Sequence, residues 1–290
     1  MPVYQAIVLA VVQGLTELLP VSSSAHVIVV AELFHENMST PANALLLVML
    51  HTGTMFAVIA YFWRRWVTTF FSSWEAFGRF VRLVFVASLA SGIVALPVIF
   101  VVEHILGRNG HAVAIEVLFH KLNWIAPALA AGGLLILYAG LREARQPASG
   151  NSARRSVSWL DTIVMGIAQG FAIPFRGFSR SGSTISAGLL SDGERMEIES
   201  FSFAMAVAIT PLAIARELFR VLRAAHRTHV VIHWGMTLTP SLVGMIAAFF
   251  AGLLALKWLS RWLEQGRWYL FGIYCLAAAV VVQLLYWRGW

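Results

Sequence analysis

The sequence predicts an all-α integral membrane protein with an inverted-topology repeat, in which each half is a re-entrant helical hairpin followed by three transmembrane helices. The first observation is composition: 59% of the 290 residues are hydrophobic and 12% are charged, whereas a soluble domain has roughly 25% charged residues. The second is a set of apolar runs of about 20 residues, the length that crosses a bilayer. The third is a pair of polar, turn-rich segments, residues 13–26 and 169–184, which both begin with Gln-Gly in otherwise apolar sequence.

The first hairpin is predicted over residues 3–34. Its two apolar stretches, 3–18 and 22–34, are each too short to cross about 30 Å of hydrocarbon. Pro20 and the serines that follow it separate the stretches, and this pattern favours a helix end, a tip and a new helix capped by serine. Three spans complete the first repeat, at about 42–63, 79–103 and 123–142.

The second half of the chain repeats this pattern. A polar linker, 143–158, separates the first repeat, 1–142, from the second, 159–290. The second repeat is predicted to contain a hairpin at 159–191 and spans at about 196–221, 236–257 and 267–288. A shift of 156 residues places Gln13 on Gln169, which indicates an internal repeat. Because each half crosses the membrane an odd number of times, the halves must insert in opposite orientations, and their hairpins are expected to meet near the midplane.

The basic residues predict the orientation of the chain and argue against a nucleic-acid partner. The net charge is +7, but the arginines cluster at the ends of apolar runs, where they set topology and contact anionic headgroups of membrane lipids. Twelve Arg and Lys residues fall on one predicted side and six on the other. The richer side should be cytoplasmic, which places both termini on the external side. The single cysteine, Cys275, excludes an internal disulfide and a Cys-based metal site.

The second polar segment predicts a site for phosphate. Arg180 offers a fork of donors that matches phosphate oxygens, and the helix predicted to begin there has N–H groups that favour an anion. Arg176 adds a positive charge four residues earlier. The other candidates contribute hydroxyls or a close backbone turn, and they are Ser179, Ser181, Gly182, Ser183 and Thr184. The alternative is a serine-capped turn with a snorkelling arginine, which the intramembrane position of the charge disfavours.

The first polar segment supplies groups for proton transfer and nucleophilic attack. Glu17 is a candidate general base or cation ligand, and Ser22–Ser24 supply hydroxyls of which one is a candidate nucleophile. His26 can move a proton or attack directly. If residues 22–34 are helical, Ser22 and His26 are four apart and share a face. The alternative is that Glu17 and His26 form a polar pair that closes the hairpin tip.

Histidines outside the two segments are weaker candidates. His51 precedes a Thr-Gly-Thr stretch in the middle of a span. This stretch either lines a cavity or supplies small residues for helix packing, and the packing interpretation is favoured. His104, His111 and His120 lie in one external connection without the spacing of a compact metal site, and they are interpreted as solvated.

The two polar segments are similar to the signatures of a known family. Residues 13–26, Gln-Gly-Leu-Thr-Glu-Leu-Leu-Pro-Val-Ser-Ser-Ser-Ala-His, closely resemble the first signature of the undecaprenyl-diphosphatase family of the bacitracin-resistance type, and residues 177–184 resemble its second. Residues 51–58 and 201–203 are similar to further family positions, so the resemblance covers essentially the whole chain. It implies a multi-pass enzyme of the bacterial plasma (inner) membrane that hydrolyses undecaprenyl diphosphate to undecaprenyl phosphate and inorganic phosphate. It also implies a site reached from the external side, a divalent cation (Mg or Ca) and a homodimer.

The resemblance assigns roles to particular residues. Glu17, Ser23, His26 and Arg180 match the family's catalytic acid, serine, histidine and arginine. Glu17 is also the expected metal ligand. Gln13 occupies a position at which the family has Glu or Gln, and the neutral residue predicts weaker metal binding there.

Three questions stay open at the level of sequence. Either Ser23 or His26 attacks, or one of them activates water, while Arg180 neutralises charge on the transferring phosphoryl group. Arg176 stands where the family usually has proline; it either strengthens diphosphate binding or marks a subgroup that acts on another lipid diphosphate. The same inverted-repeat cavity would also suit a polyprenyl-phosphate carrier or flippase that does not cleave its lipid.

Overall fold

The computed structural model describes residues 1–38, 40–106, 122–145, 156–175, 177–228 and 234–288. Within these ranges the chain forms ten α-helices and no β-strand. In chain order the helices are α1 (Val3–Leu18), α2 (Ser23–Leu33), α3 (Pro41–Thr69), α4 (Trp74–Leu106), α5 (Leu122–Arg145), α6 (Trp159–Ala172), α7 (Arg180–Leu190), α8 (Arg195–Thr228), α9 (Trp234–Glu264) and α10 (Tyr269–Trp287). The predicted all-α class is confirmed.

Six of these helices are long and apolar enough to cross a membrane. The qualifying stretches are Ala42–Thr69, Trp74–His104, Trp124–Arg145, Arg195–Arg216, Thr237–Glu264 and Tyr269–Trp287. Each overlaps one of the six predicted spans, and together they indicate a multi-pass membrane protein. Some helices extend past the predicted spans, as α3 does to Thr69 rather than to residue 63, because helix propagation continues through polar residues where an apolar run ends.

The helices α1 and α2 form the first short pair. α1 ends before an extended Leu19 (φ −67°, ψ 124°), because the following Pro20 disfavours the helical conformation of the residue before it. Ser22 then has a φ of 64°, in the left-handed region that a non-glycine residue rarely adopts. α2 therefore begins at Ser23, one residue later than expected, so the premise that placed Ser22 and His26 on one helix face does not hold.

The helices α6 and α7 form the second short pair and pack on each other. α6 begins with a capping box, in which Ser158 and Asp161 satisfy each other's backbone N–H groups. Asp161 also accepts a hydrogen bond of 2.6 Å from the hydroxyl of Ser191, just past α7, which ties together the open ends of the pair. α7 begins after Ser179, whose hydroxyl accepts the N–H of Gly182 at 3.2 Å. The predicted phosphate segment therefore starts with a defined N-terminal cap.

The described helices divide into two compact units. The first comprises Met1–Leu19, Ser23–Arg64 and Ala206–Leu259, and the second comprises Pro20–Ser22, Arg65–Met205 and Ser260–Trp290. In the first unit, apolar side chains of α1, α2, α3 and α9 form a buried core: Ala6, Leu9, Ala10, Val27, Ala31, Leu46, Leu50 and Ala248. In the second unit, α7 and α10 pack against α5, and α4 packs against α6.

The Gln-Gly pairs of the two polar segments each mark a close helix contact. A Cβ atom at Gly14, on α1, would lie 2.7 Å from the carbonyl oxygen of Ala248 on α9. A Cβ atom at Gly170, on α6, would lie 2.7 Å from the carbonyl oxygen of Ser91 on α4. The same Cβ atoms would also lie 2.6 Å from Cβ of Ala251 on α9 and 2.7 Å from Cβ of Val94 on α4, respectively. Only glycine permits such approaches, so both hairpins seat their first helix on a long helix in the same way.

Candidate active site

The carboxylate of Glu17 is the centre of the polar cluster at the first hairpin. Its Oε2 atom accepts hydrogen bonds from the hydroxyl of Ser23 at 2.5 Å and from the side-chain amide of Gln13 at 2.9 Å. Gln13 and Glu17 lie one turn apart on α1, and Ser23 is the first residue of α2. The break between the two helices therefore turns the serine back onto the carboxylate.

This arrangement can activate the serine as a nucleophile. A hydroxyl that donates to a carboxylate is oriented to lose its proton to that base. Hydrogen bonds to an ionised acceptor are short and about twice as strong as neutral ones, which agrees with the contact between Ser23 and Glu17. Gln13 is 1% exposed, and its amide holds the carboxylate in the orientation that receives Ser23.

His51 is a third side chain at Glu17. Its Nε2 atom lies 3.7 Å from Oε2 of Glu17, and its Nδ1 atom lies 2.8 Å from the carbonyl oxygen of Leu47, one turn earlier on α3. A carbonyl oxygen only accepts hydrogen bonds, so Nδ1 carries a proton and Nε2 is the ring atom that faces the carboxylate. The backbone bond therefore fixes which side of the imidazole meets Glu17.

The residues that follow His51 serve the packing of α3. A Cβ atom at Gly53 would lie 2.2 Å from the carbonyl oxygen of Met245 on α9, so glycine is needed there. Thr52 and Thr54 donate their hydroxyls to carbonyl oxygens of their own helix, at 2.8 and 2.9 Å. His51 differs from these neighbours because it faces Glu17, and sequence reasoning gave it too little weight. The signal that pointed to it was its place at the start of a stretch resembling family positions.

Ser22 and His26 lie on either side of Ser23. Ser22 is 8% exposed and belongs to the tip, which is part of the second compact unit. His26 is half-buried on α2, three residues after Ser23. Residues three apart on a helix are neighbours, so helix position places His26 next to Ser23.

The start of α7 holds the second set of candidates. Arg180 is its first residue and is half-buried. The hydroxyls of Ser183 and Thr184 donate to the carbonyl oxygen of Arg180, at 2.9 and 3.0 Å. Ser179 caps the helix, and its Oγ atom lies 3.4 Å from that of Ser181. Ser183 and Thr184 therefore direct their protons to the backbone. A guanidinium and the N–H groups at the start of a helix are donors of the kind that suits an anion.

Gly182 and Arg176 are the remaining candidates of the second segment. A Cβ atom at Gly182 would lie 2.6 Å from Cδ1 of Ile136 on α5 and 3.1 Å from Cβ of Pro20. Pro20 also accepts, through its carbonyl oxygen, the thiol of Cys275 at 3.2 Å. Gly182 is therefore required for close packing within the second unit. The backbone turn that the sequence suggested does not lie at Gly182, which is the third residue of α7; the glycine of this segment in the left-handed region is Gly177, with a φ of 109°. Arg176 lies outside the residues that the structure describes.

The donor atoms around Glu17 bear on the divalent cation that the family resemblance implies. In the described part of the chain, no group of three or more His, Cys, Asp or Glu side chains is placed to hold a metal ion. Glu17 and Ser23 nevertheless offer a carboxylate and a hydroxyl oxygen, whereas Gln13 turns its amide nitrogen to Glu17. Mg²⁺ commonly combines one or two carboxylates with substrate phosphates and water. The donor set suits such a cation better than a closed site built from protein ligands alone.

The comparison with protein families identifies the kind of protein. The profile described as “Bacitracin resistance protein BacA” matches residues 6–281. The chain belongs to this family. The match includes both polar segments, so the resemblance that residues 13–26 and 177–184 carry is confirmed.

Curated relatives match the chain over almost its full length. Undecaprenyl-diphosphatase 2 of Acinetobacter baylyi is 46% identical over 287 residues, which cover 98% of each chain. The undecaprenyl-diphosphatase of Gluconacetobacter diazotrophicus is 33% identical over 290 residues, covering 97% of this chain and 96% of the relative. The undecaprenyl-diphosphatase of Parabacteroides distasonis is 30% identical over 283 residues, which cover 96% of each chain.

Proposed function

We propose that the chain hydrolyses undecaprenyl diphosphate to undecaprenyl phosphate and inorganic phosphate, and so recycles the lipid carrier of peptidoglycan synthesis. The observation that carries the proposal is the hydrogen bond of 2.5 Å from the hydroxyl of Ser23 to Oε2 of Glu17, which pairs a nucleophile with its base. Membership of the family and the names of the relatives support the same reaction. The polyprenyl tail of the substrate suits a protein with six membrane-length helices.

The geometry favours Ser23 over His26 as the attacking group. Glu17 takes the proton of Ser23 as the serine oxygen bonds to the terminal phosphorus, and it gives this proton to the oxygen of the departing lipid monophosphate as the bridging P–O bond breaks. Water then attacks the seryl phosphate and gives a proton to Glu17, which passes it to the serine oxygen as the bond from that oxygen to phosphorus breaks. His26, three residues further along α2, takes part in proton transfer in this scheme.

Arg180 is the proposed anchor for the diphosphate. Phosphoryl transfer spreads negative charge over the oxygens of the moving group, and its catalysis consists mainly of positioning and charge stabilisation. A guanidinium can bind two of these oxygens at once, and the N–H groups at the start of α7 add to the attraction. Gln13, Ser22 and the cluster Ser179–Thr184 are the further residues proposed for substrate binding. A Mg²⁺ or Ca²⁺ ion held at Glu17 would neutralise further phosphate charge when bound.

The inverted-topology repeat is the finer description of the fold that we propose. The equivalent contacts of Gly14 with α9 and of Gly170 with α4 support it, because each joins the hairpin of one repeat to the second span of the other. The larger number of Arg and Lys residues on one predicted side supports external termini in a bacterial inner membrane. The homodimer is proposed from the family resemblance.

Phosphate release by the purified protein tests the proposed function. Wild-type protein in detergent, with undecaprenyl diphosphate and Mg²⁺, should release inorganic phosphate, and the Ser23→Ala variant should not. Failure of the wild-type protein to release phosphate from this lipid or from farnesyl diphosphate would overturn the proposal. Binding of the lipid, or its transfer between leaflets of a vesicle, without phosphate release would instead favour the polyprenyl-phosphate carrier.

A further inference from the structure

We propose that Ser202 is a positioning residue for Arg180. The inference rests on the proposed function, in which Arg180 binds the diphosphate, and it concerns a residue of α8 that does not itself belong to the phosphate segment. The connection is a chain of hydroxyl groups that runs from Ser202 through Thr184 to the backbone of Arg180. All three residues lie in the second compact unit.

The hydrogen bonds of this chain have a defined direction. The hydroxyl oxygens of Ser202 and Thr184 lie 2.6 Å apart. The Thr184 hydroxyl lies 3.0 Å from the carbonyl oxygen of Arg180 and 3.3 Å from that of Ser181. A hydroxyl has one proton and a carbonyl oxygen only accepts, so Thr184 donates to the backbone and accepts from Ser202. The chain therefore runs from the Ser202 O–H to the Thr184 O–H to the Arg180 carbonyl.

Because its hydroxyl groups are buried, this series of hydrogen bonds restrains the start of α7. Thr184 is 2% exposed and Ser202 is 5% exposed, so water cannot readily replace either partner, and a lost partner leaves a buried polar group unsatisfied. The carbonyl oxygen of Arg180 also accepts the Ser183 hydroxyl at 2.9 Å. Two side-chain donors thus hold the first residue of α7, and one of them is tied to α8.

A restraint from another helix matters at this position because helix ends fray. The first N–H groups of a helix have no partner within it, and the Ser179 cap satisfies the one at Gly182. The guanidinium of Arg180 lies at the end of a long side chain, so a small tilt of the first turn moves it appreciably. A displacement of about 1 Å in a catalytic group can lower the rate about 100-fold.

Ser202→Ala tests the inference, with Ser200→Ala as its matched control. Both serines are buried on α8, but the hydroxyl of Ser200 accepts the indole N–H of Trp66 at 3.1 Å and is not one of the hydroxyl groups that connect Ser202 to Arg180. Ser202→Ala should lower kcat for phosphate release about 10- to 100-fold, with little change in KM. Ser200→Ala should keep a near wild-type kcat at a similar thermal stability in detergent. Ser202→Thr, which retains the hydroxyl, should restore most of the rate.

A double substitution separates positioning from a general loss of folded protein. In a Thr184→Val background the series of hydrogen bonds from Ser202 to Arg180 is already broken, so adding Ser202→Ala should change kcat by less than about twofold. If the two substitutions acted through independent structural effects, their effects on kcat would instead be additive. Equal kcat values for Ser202→Ala and Ser200→Ala, or full additivity with Thr184→Val, would overturn the inference. A wild-type kcat for Arg180→Ala would instead overturn the assignment of Arg180, so the two failures are distinguishable.

Discussion

Glu17→Gln is the substitution that most directly probes the proposed general base. The carboxamide has nearly the shape of the carboxylate, so the contacts of 2.9 Å with Gln13 and 2.5 Å with Ser23 need little rearrangement. The carboxamide oxygen still accepts the Ser23 hydroxyl, but it cannot take the proton. The change therefore removes proton transfer while it preserves the local packing.

The magnitude follows from the lost proton transfer. A positioned general base contributes about 10²- to 10⁴-fold to the rate, which corresponds to about 3–5 kcal/mol of activation free energy at about 1.36 kcal/mol per factor of ten. The free energy of unfolding should fall by less than the activation free energy rises. Two hydrogen bonds change from a charged to a neutral acceptor, at a cost of about 1 kcal/mol each, and the removal of a half-buried charge offsets part of this. Activity should fall by orders of magnitude while the protein stays folded.

Initial rates of phosphate release from undecaprenyl diphosphate in detergent micelles measure this effect. Glu32→Gln is the matched control, because Glu32 is an exposed carboxylate on α2 of the same hairpin, and it should keep the wild-type kcat. Thermal unfolding in the same detergent establishes that both variants are folded. A Glu17→Gln protein that keeps more than about a tenth of the wild-type kcat would refute the general-base role.

Three other sites give further predictions. Arg180→Lys should lower kcat/KM at least about 100-fold, since an ammonium group cannot bind two phosphate oxygens at once; near wild-type turnover would contradict this role. His51→Ala should slow phosphate release because Glu17, the proposed general base, loses its neighbour at 3.7 Å. His104→Ala is the control and should leave the rate of phosphate release unchanged, although the His104 ring also lies 2.8 Å from the carbonyl oxygen one turn earlier on its own helix. Equal rates for the two variants would contradict a role for His51 at Glu17. Gly14→Ala should lower the free energy of unfolding by about 1–3 kcal/mol, because its Cβ would lie 2.7 Å from a carbonyl oxygen of α9, whereas a Cβ at Gly92 meets nothing within 4 Å. Equal midpoints of thermal unfolding for Gly14→Ala and Gly92→Ala would contradict the steric explanation.

The break in the first hairpin was predictable because its signal is local. Pro20 and the serines after it disfavour a continuous helix by their own conformational preferences. The exact start of α2 was not predictable in the same way. Ser22 adopts a φ of 64°, which serine rarely does unless its surroundings require it. The residue type therefore does not indicate that the helix begins at Ser23.

Of the contacts that Glu17 makes, only the one within its own helix could be predicted from the sequence. Gln13 lies one turn away on the same helix, so helical spacing alone brings the two side chains together. The contact with Ser23 depends on the direction in which α2 leaves the tip, and the contact with His51 depends on how α3 packs against α1. Residue types made Ser23 and His26 equal candidates, and only the folded chain shows that the hydroxyl of Ser23 donates to the carboxylate.

Gly14 fixes the rotation of α1 about its own axis. Its backbone lies directly against α9, so a turn of α1 in either direction would force side chains into α9 or open a gap in a close-packed interior. Glu17 projects from the next turn, and its direction is therefore set by the backbone contact and not by its own charge. A mutant library that randomises Gln13, Glu17 and Ser23 would thus sample new chemistry on a constant scaffold, provided that Gly14 is left unchanged. This separation of placement from reactivity makes the first hairpin a suitable starting point for directed evolution towards other phosphate esters.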